Sequence, residues 1–77
     1  MNKTKIETVM RTLEWKIEDC KEEVKRARKS IEREMANFNE VTSPMWIAQY
    51  GKEMEAATDK RKIYEEQKRQ LQFLIEE

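Results

Sequence analysis

Apolar residues in the first half of the chain recur on alternating steps of four and three: Ile6, Met10, Leu13, Ile17, Cys20, Val24, Ala27 and Ile31, then Phe38 and Val41. One position of this stripe is polar, Glu34, and the neighbouring Met35 is placed to fill the gap. A stripe with that period belongs to a helix pressed lengthwise against another helix. Thr4 and Glu7 have the spacing of a capping box, and no Gly or Pro interrupts the run before Ser43. The pattern predicts a helix over about 4–40, on the order of 54 Å long.

The period breaks at Asn39-Glu40-Val41-Thr42-Ser43-Pro44. Ser43 suits an N-cap, and Pro44 suits the first helical position, where its missing N–H removes no bond. A second helix is expected over 44–76, with Ile47, Tyr50, Met54, Ala57, Arg61, Tyr64, Lys68, Leu71 and Ile75 as its stripe. Two long helices on a short connection make an antiparallel hairpin. The sequence therefore predicts an all-α fold, a single helical-hairpin domain spanning 1–77. With a turn centred near Thr42, facing residues have numbers adding to about 85, from equal rise in both helices. Phe38 then meets Ile47, Ile31 meets Met54, Val24 meets Arg61, and Leu13 meets Leu71 or Gln72.

A single seam between two helices buries little apolar surface for so small a chain. In this register Ile17 and Val24 also face Lys68 and Arg61, which leaves the first helix more apolar than its neighbour can cover. The expectation is self-association, most simply two hairpins in a four-helix bundle.

Composition narrows the chemistry. The 77 residues include 16 Lys and Arg against 16 Asp and Glu, so the formal net charge is zero. There is no His and only one Cys. That removes His-based nucleophile systems, a His general base, an intrachain disulfide and any zinc site built from Cys and His. No P-loop, Gly-rich phosphate cradle or metal-ligand spacing is present, and a hairpin offers no cleft for a carboxylate pair. No catalytic residue, metal ligand or cofactor is expected, and the chain is read as non-enzymatic. Neither a membrane span nor a leader pattern is visible, and a cytoplasmic location is the expectation.

Three groups of residues remain as candidate sites. Trp15 and Phe73 lie off their seams, at nearly one height in the expected register, and join Ile17 and Val24 as candidates for a protein interface. Trp46, Tyr50 and Gly51 sit in the first turns of the second helix, as an aromatic notch or as close packing beside the turn. Lys25, Arg26, Arg28 and Lys29 would share a height with Lys60, Arg61 and Lys62, giving a basic belt at mid-length. Arg61, Tyr64 and Lys68 share one helical face there and form a candidate site for an anion such as a nucleotide. The alternative for the belt is a solvated, salt-bridged surface. Cys20, on the seam, is expected to act as a small buried hydrophobe.

These readings order the functions. First comes a self-associating protein-interaction module of inhibitor or adaptor type, which occupies or sequesters a partner protein. Next comes an oligomeric sponge for a nucleotide-like anion. RNA or DNA binding follows, disfavoured by zero net charge because such affinity rests on phosphate neutralisation.

Overall fold

The computed structural model describes residues 3–76; Met1, Asn2 and Glu77, at the ends of the expected domain, lie outside them. Two helices, α1 (Lys3–Ala36) and α2 (Ser43–Glu76), form the hairpin. It measures 56 × 14 × 13 Å, one helix long and two helices wide. Ile6, Met10, Leu13, Ile17, Cys20 and Ala27 of α1 are buried, together with Ala57 of α2. The remaining α2 stripe, from Ile47 and Tyr50 to Leu71 and Ile75, is partly buried. From Ile6 to Ile31 and from Ile47 to Ile75 the seams fall where the period puts them, while Phe38 and Val41 lie outside.

The loop is longer than the stripe implies. α1 stops at Ala36 rather than near residue 40: the Asn37 main-chain N–H still makes a helical bond to the Arg33 carbonyl (3.1 Å), and its side-chain amide donates to the same carbonyl (3.5 Å). Asn side chains compete in this way with continued helix. Asn39 then accepts from the main-chain N–H groups of Val41 (2.8 Å) and Thr42 (3.1 Å). Such an Asx turn reverses the chain without glycine, and no described residue takes a positive φ.

The cap of α2 also lies one residue earlier than expected. One i→i−4 bond precedes the helix, from Ser43 N–H to the Asn39 carbonyl at 3.0 Å, and the carbonyl of Thr42 then accepts from Trp46 N–H at 3.2 Å. Ser43 is already helical, and Pro44 remains within the first turn, where main-chain donors have no intrahelical partner. The Ser43 hydroxyl accepts from Asn39 N–H (2.8 Å) and donates to the Glu34 carboxylate (3.4 Å). Ser43 is fully buried, so the polar break in the α1 stripe is matched by a hydroxyl. Met35, expected to fill that break, is 63% exposed instead. At the other end α1 already runs at Lys3, ahead of the Thr4 expected to cap it. Thr8 and Thr12 there donate back to the carbonyls of Thr4 and Thr8.

These boundaries shift the register. The loop is centred between Asn39 and Glu40, not at Thr42. Glu34 meets Ser43, Glu14 meets Lys68 across 3.2 Å, and Lys16 lies over the Tyr64 ring at 5.5 Å. Facing pairs thus sit about three to eight residues lower in summed number than a centre at Thr42 gives.

Candidate functional site

Two of the three expected groupings come apart in this register. Trp15 lies two positions from both Leu13 and Ile17, and Phe73 two from both Leu71 and Ile75, so each projects away from its own seam. They stand on opposite outer edges of the hairpin, offset by roughly 10 Å along it, and are 71% and 63% exposed. They form no shared patch. Ile17, named with them, is buried in the core, while Val24 is partly open.

The basic belt also divides. In the register set by Glu14 with Lys68 and Lys16 with Tyr64, Lys60 and Arg61 lie at the height of Cys20. Lys25–Lys29 lie on the order of 10 Å nearer the loop. Lys60–Lys62 instead stand level with Glu18, Asp19, Glu22 and Glu23 of α1. Arg61 donates to Glu65 at 2.8 Å, Lys68 pairs with Glu14, and Lys16 covers Tyr64. Lys25 pairs with Glu22 at 3.5 Å. The stems of Arg61 and Lys68 run along the seam while their charged ends reach carboxylates outside it. Arg61 holds the Glu65 carboxyl below its ordinary range, mainly through this hydrogen bond.

The third grouping is assembled, and it is larger than the sequence indicates. The Trp46 and Tyr50 rings stack with centroids 6.1 Å apart and planes 25° apart. Around Trp46, which is 50% exposed, stand Met35, Phe38, Val41 and Met45, each more than half exposed. Among the described residues these five are half of the ten large apolar side chains that face solvent. They fall within twelve consecutive positions, at one end of the rod. For Phe38 and Val41 the exposure follows from the loop: α1 ends before them, so they leave the stripe that would have buried them. Periodicity alone assigned them to the seam. The signal that marks them is the pair of Asn residues four and six positions before Ser43.

Gly51 lies beside this cluster. A side chain added there would meet nothing of this chain within 4 Å. Glycine within a helix costs about 1 kcal/mol relative to alanine, and no contact inside the hairpin offsets that cost.

Cys20 is buried and unpaired. Burial, foremost, and then the nearby Glu23 carboxylate push its thiol up from the ordinary value, so it stays protonated as a packing group. Among the described residues no group of three or more Cys, Asp or Glu side chains is placed to hold a metal ion. No described helix is long and apolar enough to cross a membrane.

No protein-family model, curated protein or solved structure matches the chain.

Proposed function

We propose that the chain is a non-enzymatic protein-interaction module: a self-associating helical hairpin whose loop end docks on a partner protein and occupies or sequesters it. The observation that carries this reading is the cluster of Met35, Phe38, Val41, Met45 and Trp46 in solvent at the loop end. Aromatic residues and Met are enriched where proteins meet, and a contiguous apolar patch rimmed by polar residues marks an interaction surface. The Asx turn and the Glu34–Ser43 bond hold that patch in one shape before binding, which lowers the ordering cost of association. The complementary surface is an apolar groove about two helices wide. The cations of the anion reading point the other way, since Arg61, Lys68 and Lys25 already have carboxylate partners.

The test is photo-crosslinking in the native cell, with a benzophenone side chain at Val41 and a control at Lys62. The expected result is one protein captured from position 41, absent from position 62, and lost in Trp46→Ala. Equal capture from both positions, or crosslinks only to the chain itself, overturns the reading.

A further inference from the structure

The two broad sides of the hairpin are not equivalent. On one, the α1 line Ile6–Leu13–Cys20–Ala27 is fully buried. Polar side chains close over it, Lys16 lying on Tyr64 and Glu23, Ser30 and Glu53 lining one groove beside Ala27.

On the other side, Glu14, Lys21, Glu65 and Gln72 line one groove. Stepping by seven, Glu14 and Lys21 lead to Arg28 and Met35, while Gln72 and Glu65 lead to Thr58 and Gly51. These lines flank the seam edge formed by Val24, Ile31, Ile47 and Met54, all only partly buried. Along this side the half nearer the termini is charged. The half nearer the loop carries Val24, Ile31, Met35, Ile47 and Met54 with the single charge of Arg28 at its edge, and is flanked on α2 by the two small residues Gly51 and Thr58.

We propose that a second copy of the chain covers the side edged by Val24, Ile31, Ile47 and Met54, with both loops at the same end, so that Gly51 lies at the closest approach in a four-helix bundle. This rests on the self-association in the reading above and adds the face and the orientation.

Area argues for a second copy. The hairpin exposes 6240 Å², whereas a compact protein of its 9.4 kDa mass exposes about 5,000 Å². The excess of about 1,200 Å² is comparable to the roughly 800 Å² that each partner contributes to a stable dimer.

Charge argues for the orientation. A twofold axis along the rod sets α1 of one copy against α2 of the other at equal height. Within one hairpin Glu14 pairs with Lys68, Glu18 with Lys21 and Arg69 with Glu66; at equal height Lys68 and Arg69 of the partner subunit come opposite Glu14 and Glu18 and extend these pairs into a network across the interface. Apolar halves then meet apolar halves. With the loops at opposite ends, Ile31 and Met54 would instead cover those ion pairs, stripping their water with no added charge to extend them. Zero net charge leaves no long-range repulsion between copies.

The open space at Gly51 makes the proposal testable. Inside one hairpin a larger residue there has room; against a second copy it does not. Light scattering on the full chain is expected to give about twice 9.4 kDa. Gly51→Leu and Met54→Lys are each expected to weaken the dimer at least tenfold while circular dichroism stays helical. If Met54→Lys does not fold, Gly51→Leu decides alone. Spin labels attached through Glu40→Cys, in a Cys20→Ala background, are expected within about 30 Å of each other, since packed helices lie 8–10 Å apart. Separation approaching the 56 Å rod length overturns the orientation. A dimer untouched by Gly51→Leu overturns the face but leaves self-association standing, and a monomer at all concentrations overturns both. Phe38→Ser at the loop end is expected to leave the mass unchanged, so failure of partner docking is read separately.

Discussion

The half of the hairpin nearer the termini buries large apolar residues in its seam and exposes others singly, at Val9, Trp15, Ile63, Phe73 and Leu74; the half nearer the loop buries small residues and gathers its exposed apolar ones within twelve positions. Ile6, Met10, Leu13 and Ile17 fill the seam at one end. At the other, the buried positions are Ala27, Ala57 and Ser43. Large side chains in the seam hold the helices together at the terminal end; at the loop end the seam is thin and the exposed apolar residues Met35, Phe38, Val41, Met45 and Trp46 are close in sequence.

That contrast is open to attack from both ends. The largest effect is expected from Leu13→Ala, which empties the well-filled half and should destabilise the fold by about 2–5 kcal/mol, read from denaturant unfolding. Ala57→Leu asks whether the loop half has room. Ala57 is 1% exposed, and overpacking should cost about 1–3 kcal/mol, seen as a lower Tm. Ser43→Ala leaves Asn39 N–H and Glu34 without their shared hydroxyl and should cost about 1–2 kcal/mol, in the same assay. Cys20 gives a smaller effect that depends on pH. Its folded thiol titrates above its unfolded value, so its contribution is fully present below about pH 8.5. It is lost as pH rises toward the raised folded value; Cys20→Ala should flatten the alkaline limb of a stability–pH curve. Least of all, Val41→Ser, at 77% exposure, should change stability by no more than about 0.5 kcal/mol in urea titration.

The architecture was legible because heptad spacing carries it: residues from Ile6 to Ala27 and from Ile47 to Ile75 sit where their period places them. The loop was not, because there the same period was carried on by Phe38 and Val41 while Asn37 and Asn39 redirected the backbone through local bonds. Periodicity is blind to that competition. The shift of the loop centre then displaced every cross-helix pairing, which is why Trp15 with Phe73, and Lys25–Lys29 with Lys60–Lys62, looked adjacent in sequence arithmetic and are not adjacent in space. Trp46 and Tyr50 are neighbours as expected because they lie within one helix and depend on no register. Met35 was expected to fill the break at Glu34, but it stays one position off the stripe and in solvent because Ser43 bonds Glu34 there.

The bond between Ser43 and Glu34 spans nine residues, and Asn39 closes still shorter loops inside it. Loop-closure entropy rises with the length enclosed, so these are the least costly cross-links to form first from an unfolded chain. Once they exist, each further helix–helix pair adds only a short increment of chain. Folding then proceeds from the reversal toward the termini, like a zip. Main-chain amides near Val41 and Thr42 should gain protection from hydrogen exchange before those of Ile6 or Ile75, in a pulse-labelled refolding experiment. A substitution that removes the Asn39 carbonyl, Asn39→Ala, should slow folding more than it speeds unfolding.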